Sequence, residues 1–182
     1  MLIMANQGFT TATDFADYLV KEKNLETQMI EVYKQGIDEF ERGDVIFAGR
    51  KFSEAELLFP QSIWAPRAVL MSAYGYFSQG YYSYAINDLE RFLIKYKNHP
   101  QTDYAYYLMA LCHYDQIIDE KKDLKEILLA KKYFEIVINN YPNTDYAKDS
   151  KYKLDYILEY TGPLFQRVFI DEANSIRIPK CS

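Results

Sequence analysis

Several things are scarce in this chain, and each scarcity removes a class of protein. Glycine and proline number only 7 and 6 in 182 residues, too few for a linker, a collagen-like array or a disordered segment. Cysteine occurs twice, as Cys112 and Cys181, far apart and outside any C-x-x-C pair, so neither a disulfide framework nor a zinc site has support. Basic runs do not exceed the pairs Lys121-Lys122 and Lys131-Lys132, and the formal net charge is -5. That leaves no electrostatic footprint for a phosphate backbone, and nucleic acid is not an expected partner. No stretch reaches the roughly 18 consecutive apolar residues of a membrane span. Met1 to Thr10 lacks the basic end and apolar core of a signal peptide.

What the chain has in quantity is hydrophobic and aromatic side chains, 49% and 16% of residues, with 18 tyrosines. A core of useful size is therefore available, and many rings must be stacked somewhere. Internal periodicity shows where. Ala48, Phe52, Ala55 and Pro60 recur as Ala130, Phe134, Val137 and Pro142 at identical offsets, and as Ala85, Leu89, Phe92 and a displaced Pro100. Gly43 and Gly80 each precede the alanine by five residues. This is the layout of two antiparallel helices per unit: glycine at the turn, alanine where the helices approach, an apolar residue one turn on, and proline where the second helix stops. The pattern resembles the tetratricopeptide repeat, whose period is about 34 residues.

The expected architecture is all-α, a tetratricopeptide-type helical solenoid of about three and a half helix-turn-helix repeats. A leader (1–27) with a short helix from Ala12 to Lys23 precedes a repeat domain (28–160). Its units span roughly 29–62, 66–100, 103–142 and a partial 144–160, and an irregular tail covers 161–182. In the first helices Ala73 and Ala110 hold the small position; in unit one either Gly36 or Ile37 fills it. Unit three carries a charged insertion from Asp115 to Lys122, read as a solvated connection. A fourth unit opens with Tyr146, Ala147, Leu154 and Ile157 and is interrupted by Thr161-Gly162-Pro163.

In a stacked repeat array the first helices line a concave surface that binds partners. Side chains pointing away from the inter-helix core are Leu70, Tyr74 and Phe77 in unit two, then Tyr104, Tyr107, Leu111 and Tyr114 in unit three. Such a strip of rings suits an extended or helical peptide with aromatic anchors, because rings give contact area with few rotors to immobilise. The competing reading is that these rings are core, covered by the leader or the next unit. Catalytic chemistry has little to stand on. His113 follows Cys112, but adjacent helical residues diverge by about 100 degrees, and His99 before Pro100 reads as a turn cap. No Gly-rich phosphate loop, G-x-S-x-G or H-E-x-x-H is present, so no enzyme, cofactor or metal is expected.

The runs His99-Pro100-Gln101-Thr102-Asp103-Tyr104-Ala105-Tyr106-Tyr107, Tyr74-Gly75-Tyr76-Phe77 and Tyr141-Pro142-Asn143-Thr144-Asp145-Tyr146-Ala147 go beyond what the repeat requires. With Ala85-Ile86-Asn87-Asp88-Leu89-Glu90-Arg91-Phe92 they resemble the BamD/ComL family, lipoproteins of the bacterial β-barrel assembly machinery, over about Glu31 to Tyr160. The resemblance implies a scaffold at the periplasmic face of the outer membrane. Its N-terminal repeats would receive the aromatic-ended targeting segments of unfolded outer-membrane proteins. Its other partners would be the barrel-shaped insertase and further assembly lipoproteins. Two departures stand out. The family is tethered by a lipidated N-terminal cysteine, its one link to the membrane, whereas no cysteine precedes Cys112 here. The family also carries about five repeats. Two rivals remain: another tetratricopeptide adaptor or co-chaperone in secretion or the cell envelope, or a structural spacer. The carboxylate clamp of chaperone adaptors is missing, because its positions carry Met71, Tyr104 and Leu108.

Overall fold

The computed structural model describes residues 12–118 and 124–159. Every regular element among them is an α-helix: α1 (Ala12–Glu41), α2 (Val45–Leu58), α3 (Ala65–Ser78), α4 (Tyr82–Lys95), α5 (Thr102–Ile118), α6 (Leu124–Asn140) and α7 (145–159). The fold is thus all-α and of the tetratricopeptide-type helical repeat class. Two compact units divide the chain, residues 1–105 and 106–182. The tail from 161 to 182 and part of the insertion expected at 115–122 lie outside the described residues.

In the first unit each helix packs on the next, α1 on α2, α2 on α3 and α3 on α4. Turn chemistry sets the breaks. Gly43 and Gly80 adopt φ of +86° and +75°, a left-handed conformation that costs a residue with a Cβ about 1–2 kcal/mol. Asp44 then caps α2 by accepting the Phe47 N–H at 3.0 Å. Pro66 sits in the opening of α3, where its missing N–H costs nothing.

The alanine-aromatic phase marks the core. Ala48, Phe52, Ala55, Ala73, Ala85, Leu89 and Phe92 are all buried, as are Ala110, Ala130, Phe134 and Val137 in the second unit. Each fully buried phenylalanine contributes about 1.5–3 kcal/mol relative to an exposed one. The small position of unit one is Gly36. A Cβ there would come within 2.8 Å of the Phe52 ring, whereas Ile37 is half-buried beside it.

One expectation is corrected. The helix expected from Ala12 to Lys23 does not end there but continues as one 30-residue element to Glu41, through the place where leader and first unit were divided. No glycine or proline lies between Lys23 and Gln35. Local bonds such as Thr27 Oγ1 to the Lys23 carbonyl (2.9 Å) and Gln28 Nε2 to Asn24 Oδ1 (3.1 Å) carry the helix across.

Candidate binding cleft

The first unit holds a cleft of about 440 Å³ lined by Tyr33 of α1, by Arg67, Leu70, Met71 and Tyr74 of α3, and by His99, Pro100, Gln101 and Tyr104 where the chain enters α5. Helical spacing aligns the α3 contribution, because residues 67, 70, 71 and 74 are three and four apart and share one face. A turn supplies the far wall. Gln101 donates its backbone N–H to His99 Nδ1 at 3.2 Å, and Thr102 Oγ1 donates to the His99 carbonyl at 2.6 Å. His99 is therefore the turn cap that the sequence indicated, and it also faces the cleft. A second cleft of about 350 Å³, lined by Ile30, Tyr33, Lys34, Ile37, Asp38 and Trp64, shares Tyr33 with the first.

The aromatic wall is held from behind. The Tyr33 ring lies 5.3 Å from Phe52 and 5.9 Å from Trp64, distances at which tilted rings attract. Burial pushes the Tyr33 phenol above its ordinary value, and Arg67 opposes that rise. Arg67 in turn rests over Trp64, with its guanidinium carbon 4.9 Å from the ring centroid. Burial chiefly, and Arg67 secondarily, lower the pKa of His99. The His99 imidazole is thus neutral at pH 7, and because Nδ1 accepts from Gln101, its proton sits on Nε2.

The seven residues singled out from sequence divide between the units. Leu70, Tyr74 and Tyr104 line the cleft; Tyr74 keeps 42% of its surface exposed, while Leu70 forms the floor at 4%. Phe77 stands off the lining and packs on Tyr82, with ring centroids 6.0 Å apart. Tyr107, Leu111 and Tyr114 belong to the second unit and pack against the cluster of Ala110, Ile127, Ala130, Phe134 and Ile157. There Tyr107 donates to Asp149 Oδ2 at 2.6 Å and stacks on Tyr146 at 5.1 Å. Tyr114 meets Phe134 edge-on at 5.9 Å.

Sequence reasoning missed Tyr33, Arg67, Met71, His99, Pro100 and Gln101 as lining residues. One signal was available for Tyr33. Once Gly36 is the small position, Tyr33 stands three residues before it, as Leu70 does before Ala73 and Tyr107 before Ala110. The Cys112-His113 pair has a packing role: His113 Nδ1 lies 2.6 Å from Glu126 Oε2, and the ring stacks on Tyr133. Burial raises the Cys112 thiol to about 12, which leaves it inert as a nucleophile. Among the described residues no group of three His, Cys, Asp or Glu side chains is placed to hold a metal, and no helix is long and apolar enough to cross a membrane.

Against this geometry, residues 25–161 match the family model of the outer membrane lipoprotein YfiO. The chain belongs to the YfiO family. Similar curated relatives agree. The outer membrane protein assembly factor BamD of Caulobacter vibrioides is 36% identical over 126 residues, covering 69% of this chain and 41% of that protein. Its namesake from Rickettsia prowazekii is 33% identical over 129 residues, covering 71% of this chain and 51% of that protein. The chain spans about half the length, or less, of these relatives. Within the YfiO match lie every residue of the cleft and the whole of α2 to α7.

Proposed function

We propose that this protein is a non-catalytic, protein-binding scaffold of outer-membrane β-barrel assembly, and that its aromatic cleft receives the C-terminal targeting segments of unfolded outer-membrane proteins. The observation that carries the reading is the cleft lining: three tyrosines, a leucine, a methionine and a proline, with no aspartate or glutamate among its residues. Its volume falls in the roughly 300–1,000 Å³ range of ligand sites. Rigid rings that keep a polar tip are what an anchoring aromatic residue of an unfolded chain can use. The relatives' name, outer membrane protein assembly factor, supplies the class of partner.

Work at the periplasmic face of the outer membrane, and contacts with the barrel insertase and other assembly lipoproteins, extend this reading from the family. The insertase contact in the family lies mostly toward the C-terminal repeats, so the peptide cleft is the activity that residues 1–105 carry by themselves.

The test is fluorescence anisotropy with a labelled peptide copied from an outer-membrane protein C-terminus and ending in phenylalanine. Binding in the micromolar range, weakened about tenfold or more by Tyr74→Ala with helicity unchanged, is expected. Absence of binding, or binding indifferent to Tyr74 and Tyr104, would sink the receptor reading in favour of a spacer whose rings only pack.

A further inference from the structure

Helix α7 (145–159) has three faces. Ala147, Ser150 and Ile157 are buried in the core. Tyr146, Asp149 and Lys153 turn to α5, where Tyr146 stacks on Tyr107, Asp149 accepts the Tyr107 hydroxyl, and Lys153 sits over the Tyr114 ring at 5.1 Å. The third face is exposed throughout and carries Lys148, Tyr152, Asp155 and Glu159, which fall within about 60° of one another on a helix. Their spacing of four, three and four is that of a seam between two helices packed lengthwise, where polar residues set register and partner. Tyr152, at its centre, is 72% exposed. The order of charges along this face is the informative feature. The lysines, Lys148 and the flanking Lys151, come first, and the acids Asp155 and Glu159 come last. An isolated helix favours the reverse, because cations suit the C-terminal end of the macrodipole and an acid four residues before a lysine pairs better than the Lys151-to-Asp155 order. Local contacts do not account for the order either. Lys148 reaches the exposed Asp145 at 2.8 Å, a surface pair of little worth, and Tyr152, Asp155 and Glu159 form no hydrogen bond or ion pair among the described residues.

We propose that this face docks on the same face of a second copy of the chain, the two α7 helices running antiparallel about a two-fold axis between Tyr152 and Asp155. In that register Lys148 meets the partner's Glu159 and Tyr152 meets the partner's Asp155, and the symmetry makes each contact twice. A parallel pairing would instead set lysine on lysine and glutamate on glutamate. A slip of one turn in either direction leaves Lys148 or Glu159 unopposed, so the charges select both direction and register. The antiparallel arrangement also removes the dipole penalty, because the positive end of the partner helix, with its own lysine, lies beside the end that carries Glu159. A seam one helix long, about 22 Å, belongs with the small interfaces that bury less than roughly 1,200 Å² in total, and such complexes are weak and reversible. The pairing uses no residue of the cleft in the first unit and leaves the contacts of Tyr107 and Tyr114 in place.

Sedimentation velocity on the full chain tests this. The wild type should pass from monomer to dimer between micromolar and millimolar concentration, with the midpoint moved upward by added salt. Lys148→Glu places acid against acid at both ends of the seam and should weaken association about tenfold or more. Glu159→Lys should do the same by placing cation against cation. Mixing the two variants brings opposite charges together again at both ends, and should return dimerisation to the wild-type level. Each variant is the other's rescue, so a variant that merely fails to fold cannot mimic this result. A wild type that is monomeric at every concentration would overturn the proposal and leave the face to water or to another segment of the chain. Dimerisation that neither substitution weakens, or that mixing does not restore, would overturn it as well and place the contact elsewhere.

Discussion

The first-helix rings of the two units share a sequence register and meet different ends. In residues 1–105, Leu70, Tyr74 and Tyr104 face a cleft that also takes in Tyr33. In residues 106–182, the residues of the same stripe lie against a filled cluster: Tyr107 on Tyr146 and Asp149, Tyr114 on Phe134, with Ile157 of α7 buried alongside. Helical register fixes which way a side chain points, but what stands opposite it is decided by the helix that arrives later in the chain. In the second unit, α7 brings Tyr146, Asp149, Leu154 and Ile157, and the rings become core.

The largest effect that would break this contrast is Phe134→Ala. Phe134 is fully buried in the cluster that backs Tyr114, so its removal should cost about 3–5 kcal/mol, read as a lowered urea midpoint with unchanged helicity in water. A loss under about 1 kcal/mol would mean that the second unit's rings have no firm backing and differ little from those of the cleft.

Next comes a paired substitution that sets the two fates side by side. Tyr107→Ala removes a stacked ring and the donor that serves Asp149, and should cost about 2–3 kcal/mol of stability. Tyr74→Ala, at a residue 42% exposed whose ring lies 6.2 Å from that of Phe40, should cost less than about 1 kcal/mol while weakening peptide binding about tenfold. Chemical denaturation and anisotropy on both variants check this. Equal stability losses would erase the distinction between a ring that packs and a ring that waits for a partner.

Much of the fold was legible because the repeat constrains it from both sides. A small residue where helices cross and a large one a turn later must be buried in any such hairpin, and Ala48 with Phe52, Ala85 with Leu89, and Ala130 with Phe134 are all buried. The end of the leader was not legible, since it was inferred from where the repeat phase begins, while a helix ends only where capping or a breaker ends it. Lys23 to Gln28 hold no breaker, and the cap-type residues Asn24 and Thr27 bond within the helix instead, so α1 runs on. The cleft was legible in part. Leu70, Tyr74 and Tyr104 follow from helix phase, but His99, Pro100 and Gln101 enter from a turn, which has no period to read. Arg67 was passed over because an exposed arginine on a helix usually marks a solvated face. Only the lack of a carboxylate partner among the described residues, together with Trp64 beneath it, sets it apart, and both are three-dimensional facts.

A smaller effect tests an electrostatic contrast between the units. In the second, His113 of α5 meets Glu126 of α6 at 2.6 Å. In the first, α4 presents Arg91 and Lys95 to the buried Glu56 of α2 at 3.3 and 2.8 Å, with the Tyr96 hydroxyl donating to Glu56 at 3.0 Å. Asp88 lies beside this network, bonded to Arg91 at 3.0 Å. Burial raises its carboxyl above the ordinary 3.8; Ser72 and Arg91 oppose the rise and Glu56 adds to it. A raised folded value means that the native state holds the proton more tightly than the unfolded chain. The resulting stabilisation is complete below about pH 3.8 and is lost as pH climbs through the higher folded value. Asp88→Asn cannot titrate, so the wild type should lose stability relative to it between pH 4 and 7, a trend that urea midpoints for both proteins would reveal. A gap that stays constant, or widens in favour of the wild type as pH rises, would mean that Arg91 outweighs burial at Asp88. The first unit's second-helix seam would then be held by its ion pairs, as the cleft's Arg67 is not.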